Sequence, residues 1–309
     1  MTSKPACLAA VSLGAAGVCP RDLPLFRDDA ETRTRGRQAA SEVTDEEALR
    51  LLQGLAVGAD PAWPTATRIV RHRGGGGSDA WDVAVGSDIY VTKFANNPQE
   101  PQRPLPRKVV TTELVAGRIG QLFDPAVSPT TRVIVVPLEL IEAEPILMAG
   151  APAESGPACG SLVVTQTTET KAGGQLGSVP PERLAQIIAF QSLLQADDAA
   201  ALVTDDGSWA FSIDHGHYFG GGSWGNHQGL VAEQPRILAV GGLDAGLLRD
   251  RRIWDPVLNE LEVISDRDLA SAFTDVPAEW GCDVGFLAPI LGVTSRRKER
   301  LREVVDAYC

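Results

Sequence analysis

Apolar spacing divides the chain into a stretch of short strands followed by a stretch of helices. Thr44-Asp-Glu-Glu47 reads as a capping box, and Ala48, Leu51, Leu52 and Leu55 follow at i, i+3, i+4 and i+7. That spacing predicts a short amphipathic helix, ended by Pro61 and Pro64. Three strand-like runs come next, Ala66–Arg71, Ala80–Val85 and Ile89–Ala95. Gly74-Gly-Gly-Gly-Ser-Asp79 separates the first two, and Gly86-Ser-Asp88 makes a tight turn before the third. A Pro-rich loop from Asn96 to Pro106 leads to a helix over Val109–Phe123, with Val115, Ile119 and Leu122 on one face. Thr131–Ile141 is β-like throughout.

Around Met148–Cys159 the composition turns to Gly, Ala and Pro, which predicts a lobe boundary. Beyond it, Leu184, Ile187, Ile188 and Leu194 line one side of a helix over Pro181–Gln195. Ala201–Thr204 and Trp209–Asp214 predict a hairpin closed by Asp205-Asp-Gly-Ser208. A last helix spans Ser295–Tyr308, and no repeat is present. The resulting expectation is an α+β chain in three parts: a flexible leader at 1–43, a β-rich N-lobe with its preceding helix at 44–150, and a mainly helical C-lobe at 151–309.

Composition narrows the functions on offer. Of 309 residues, 44% are hydrophobic and 22% charged, which is ordinary for a globular protein with room for two cores. The formal net charge of −12 makes nucleic acid an unfavourable partner. Cys7, Cys19, Cys159, Cys282 and Cys309 are odd in number, far apart and without a C-x-x-C pair, so reduced thiols and a cytoplasmic setting are expected. Lys4 and the mildly apolar run after it are too weak for a secretion signal, and Ala-Gly-Val before Cys19 makes a poor lipidation site. No apolar run approaches the ~20 residues of a membrane helix.

Against that background several polar groups stand out. Gly74, Gly75, Gly76, Gly77 and Ser78 lie between two antiparallel strands, where glycines let backbone N–H groups approach phosphate oxygens. A glycine run is by itself an ordinary flexible loop. Lysine is scarce, five residues against 23 arginines, yet Lys93 sits in the apolar strand Tyr90-Val-Thr-Lys-Phe94. Glu113 comes twenty residues later, near the start of the next helix, where it would pair with Lys93 or stand in a solvated first turn. Ala196-Asp-Asp198 precedes the C-terminal hairpin and Ser212-Ile-Asp-His-Gly216 ends it, so the hairpin brings two acidic sites together. Asp214, at the mouth of an apolar strand, needs a cation nearby to offset its desolvation.

The ordered set of glycine loop, Val-Thr-Lys-Phe, Glu113, Asp pair and Ile-Asp-His-Gly-His-Tyr-Phe219 resembles the HipA-like kinases, distant relatives of protein and phosphoinositide kinases. Val276-Pro-Ala-Glu-Trp280 and the Arg-rich last helix resemble that family's closing segment, so the resemblance covers about residues 65–309. It implies a bilobal protein-kinase-like fold with ATP in the cleft. It further implies Lys93 on the α/β-phosphates, Glu113 orienting it, Asp197 or Asp198 as the catalytic acid, and Asp214 on Mg²⁺. The acceptor would be a hydroxyl of a protein or small molecule. One departure matters: Ala199-Ala-Ala-Leu-Val203 follows the Asp pair where such kinases place a metal-binding amide, which suits a nucleotide-binding pseudokinase as well as an enzyme.

A third expectation comes from histidine. His215 and His217, two apart on one strand, would share a face, and with His227 and Asp214 would suit a transition metal and hydrolytic chemistry. Trp81, Trp209, Trp224, Trp254 and Trp280 are expected as packing residues, and Gly220–Trp224 as a loop after Asp214.

Overall fold

A computed structural model describes residues 43–56, 62–74, 79–96, 98–99, 106–144, 155–171, 176–196, 200–219 and 249–309. It is a mixed α+β fold with a sheet-rich N-terminal part and a helical C-terminal part. The strands β1 (Arg68–His72), β2 (Trp81–Val85), β3 (Asp88–Lys93), β4 (Thr131–Val136) and β5 (Gly156–Leu162) form one antiparallel sheet in the order β1-β2-β3-β5-β4. Gly86, at φ 59°, takes the first position of the two-residue turn between β2 and β3, where a positive φ matches the strand twist.

The two faces of this sheet bury different things. Trp81, Val83, Tyr90, Ile134 and Val136 pack together on one face. On the other, Lys93, Cys159 and Val133 are neighbours across β3, β5 and β4, and the helix α2 (Lys108–Gly120) lies over them through Val110 and Leu114. Glycine permits that close approach. A Cβ on Gly117 would lie 2.7 Å from Thr131 Cβ, and one on Gly120 would lie 2.8 Å from Ser128 Cβ. Gly117→Val is therefore expected to push α2 off β4 and cost about 1–3 kcal/mol by overpacking. Denaturant unfolding measures the loss, which Gly117→Ala should show in smaller degree.

The β-like run Thr131–Ile141 stops at Val136, because Pro137 becomes the N-cap of the short helix α3 (Leu138–Glu142). The Gly/Ala/Pro segment expected to separate the lobes ends inside β5, which runs between β3 and β4, so the sheet continues to Leu162, beyond the expected boundary at 150. A further strand was not expected at all: β6 (Thr167–Lys171) pairs with β7 (Ala200–Thr204), which pairs with β8 (Ala210–Ile213).

The predicted first helix forms as α1 (Asp45–Ala56), with Thr44 Oγ1 accepting from Glu47 N at 3.2 Å and Glu47 Oε2 accepting from Thr44 N at 3.0 Å. It does not belong to the sheet. Ala48 and Leu52 join the helical core made by α4 (Pro181–Leu193), α5 (Arg251–Val263), α6 (Asp266–Ala272) and α7 (Val284–Tyr308). Gly292 of α7 allows the contact, since a Cβ there would lie 2.8 Å from Asp45 Oδ1. Arg296 then donates to the carbonyl of Val43 at 2.7 Å. Trp81, Trp254 and Trp280 are fully buried, and Trp209 instead covers the guanidinium of Arg183 at 4.3 Å. Trp224 lies outside the described residues. Among those residues no helix is long and apolar enough to cross a membrane.

Candidate active site

Three elements converge on one ammonium group. β3 carries Lys93 at its last position, with a side chain only 7% exposed. Lys93 Nζ donates to Glu113 Oε2 at 2.6 Å and to Asp214 Oδ1 at 2.5 Å. Burial works against a charge on Lys93, and the two carboxylates more than offset it, so its pKa lies above the ordinary lysine value. The lysine is therefore cationic at every physiological pH.

Glu113 comes from α2. The sequence placed it near the start of that helix, but α2 begins at Lys108, which makes Glu113 the sixth residue and a buried one. The first turn of α2 is braced from the far end of the chain. Arg107 N donates to Trp280 O at 2.7 Å, and Trp280 packs beside Val110 and Leu114. The Val276–Trp280 segment thus holds the helix that carries Glu113.

Asp214 follows β8 directly. Its backbone is left-handed, at φ 58° and ψ 54°, a conformation costing a non-glycine residue on the order of 1 kcal/mol. The bend throws its carboxylate, 29% exposed, toward Lys93. The next residues form a single 3-10 turn, His215–His217, rather than continuing the strand. Gly216 fits the turn tightly against α2, where a Cβ would sit 2.8 Å from Val109 Cγ1. The expectation that His215 and His217 share a strand face is thereby overturned. His215 is buried against Phe190 and Tyr218, with Nδ1 3.9 Å from Glu113 Oε1, and burial lowers its pKa. His227 lies outside the described residues, among which no three His, Cys, Asp or Glu side chains are placed to hold a metal ion.

Lys93, Glu113 and Asp214 line a cavity of about 760 Å³ between the two sheets. Sequence reasoning did not find its apolar walls. Val91 lines it from β3, and Leu202 and Ile213 line it from β7 and β8. All three are half-buried. The chain from Val163 to Gln166, linking the two sheets, closes one side. Gly74 also lines the cavity, at φ 63°, while Gly75, Gly76, Gly77 and Ser78 lie outside the described residues. Asp197 and Asp198 do too.

The donor set suits magnesium better than a transition metal. Mg²⁺ keeps several waters and takes one or two carboxylates together with phosphate oxygens. Asp214, partly exposed at the cavity wall beside Lys93, would serve as such a carboxylate, and Glu169 lines the same cavity from β6.

Neither a family model nor a curated protein matches this chain. Among solved structures it is similar to one described as "Crystal structure of the golgi casein kinase", at 9% sequence identity and a TM-score of 0.45. The match covers 86% of this chain and 75% of that one. A likeness at that score carries no functional weight, and the site stands on its own geometry.

Proposed function

We propose that the protein is an ATP-dependent phosphotransferase of the HipA-like kind, moving the γ-phosphate of ATP to a hydroxyl acceptor such as a protein Ser or Thr. One observation carries the reading: a buried lysine, held by acids from two other elements, at the wall of a cavity with apolar sides. The nucleobase would sit against the apolar side chains of Val91, Leu202 and Ile213. Lys93 would reach the α/β-phosphates while Glu113 keeps it in place. Asp214 would hold Mg²⁺, which when bound would supply positive charge against the phosphates. The acceptor oxygen bonds to the γ-phosphorus, the bond to the β–γ bridging oxygen breaks, and ADP departs. Asp197 or Asp198 would take the hydroxyl proton.

A second reading, a nucleotide-binding pseudokinase, is favoured by one feature. β7 begins at Ala200, and its side chains are Ala, Ala, Leu, Val and Thr, so no amide follows the Asp pair to hold a second metal ion. Incubation with ATP labelled at the γ-phosphate, Mg²⁺ and a mixture of protein and small-molecule alcohols tests both. Label on the protein itself or on an acceptor is the expected result. ATP binding without transfer would favour the pseudokinase, and no nucleotide binding would overturn both.

A further inference from the structure

We infer that Arg71 and Arg73 extend the cationic wall of the cleft along the sheet face that carries Lys93, built to hold a polyphosphate chain beside that lysine. On the phosphotransferase reading, from which the inference takes its ligand, that chain is the triphosphate of ATP.

The ladder between β1 and β2 is irregular. Ile69 pairs with Val83, but Arg71, not Val70, pairs with Asp82, so β1 carries one extra residue. Regular pairing would set Arg71 opposite Trp81, on the apolar face of the sheet. The bulge reverses the alternation, and bulges re-aim side chains in this way. Arg71 now lies opposite Asp82, which in turn lies opposite Val91, a cavity-lining residue of the Lys93 face. Arg73, two residues on, lines the same cavity. His72 takes the place opposite Trp81 and stacks on it with ring centres 4.4 Å apart.

The arginines are held in position. Asp82 is buried, and its carboxylate accepts from Arg71 Nε at 2.6 Å through one oxygen and from Arg73 Nε at 2.6 Å through the other. Both bonds use Nε and leave the terminal nitrogens of each guanidinium outside that contact. Arg71 is 66% exposed and Arg73 34%. A buried carboxylate is expensive in the middle of a strand, and its effect here is to orient two forked donors suited to phosphate.

Charge supplies an independent reason. Lys93 is one cation against two carboxylates, Glu113 and Asp214. That trio is net negative and would repel a triphosphate. The Arg71–Asp82–Arg73 group is net positive and lies on the same cavity, which offsets the negative trio and leaves the exposed Glu169 of β6 as the remaining acid of the lining.

Removing both arginines alone would strand Asp82, so the test uses Arg71→Gln/Arg73→Gln/Asp82→Asn, with its unfolding midpoint compared with wild type. Calorimetry with ATP, adenosine and inorganic tripolyphosphate reads the effect. The triple variant is expected to bind ATP about 10- to 100-fold more weakly, the loss of one or two charge-assisted bonds, with adenosine unchanged. Tripolyphosphate binding by the wild type, lost in the variant, supports the wall even if ATP is not the ligand. A folded variant with wild-type affinity for ATP and tripolyphosphate overturns it and leaves the phosphotransferase reading intact. A wild type that binds tripolyphosphate but neither ATP nor adenosine overturns that reading and leaves the wall. A wild type that binds none of the three overturns both.

Discussion

Lys93→Met is expected to abolish transfer and to destabilise the protein by about 3–5 kcal/mol, the cost of removing one partner from a buried ion pair. Both effects have one source. The ammonium is the charge partner common to Glu113, with a side chain 7% exposed, and Asp214, 29% exposed. Without it two acids face each other in a low-dielectric wall, and one must take up a proton or move toward water. Adding Glu113→Gln to Lys93→Met removes one of the stranded charges. The double variant should recover part of the lost stability and none of the activity, a non-additivity that a double-mutant cycle in denaturant measures directly. Equal midpoints for wild type and Lys93→Met would show that the three side chains do not interact in solution.

Asp214→Asn separates chemistry from stability. Asn keeps the shape of the side chain and tolerates the left-handed backbone at φ 58°, and the Lys93–Glu113 pair remains. Asn still accepts from Lys93 but removes one of its two charge partners, so stability is expected to fall by about 0.5–1.5 kcal/mol, well short of the Lys93→Met loss. Transfer should fall by about 10²–10³-fold, the scale seen when one group that stabilises developing charge is removed. The loss should also appear as a changed Mg²⁺ dependence. Rates measured over a magnesium titration, beside unfolding midpoints, give both readouts. Unchanged rates at every magnesium concentration would remove Asp214 from the chemistry.

The features visible in the sequence were those set by local chemistry. Thr44 and Glu47 cap α1 through contacts three residues apart, and Gly86 marks a two-residue turn between strongly alternating strands. Lys93 stood out because a charge inside an apolar strand demands an explanation. Features depending on distant partners were not visible. β5 reads as a linker because Gly156-Pro-Ala-Cys-Gly-Ser-Leu162 is composed of small residues. They are small because the strand is packed between neighbours, and a Cβ on Gly160 would lie 3.1 Å from Ile134 Cγ1. α7 starts eleven residues before the expected Ser295. Pro289 argues locally against a helix there, yet Asp283 caps it by accepting from Phe286 N at 2.8 Å and the packing of Leu287, Ile290 and Leu291 carries it through. The β1 bulge leaves no mark in the sequence beyond two arginines beside a glycine run. Asp82, a buried acid between Trp81 and Val83, was the signal that could have exposed it.

The docking of α1 against α7 has a topological consequence. The chain begins its described course in the helical half, crosses to build the sheet, and returns to finish where it started. The helical half is thus a discontinuous unit, and no single cut in the sequence liberates it whole. A fragment taken from the second sheet onward would lack the Ala48 and Leu52 side chains that complete its interior. Because the first and last described helices clasp each other, the cleft-forming sheet is an insertion tethered at both ends, and any opening of the cleft must bend two connections at once.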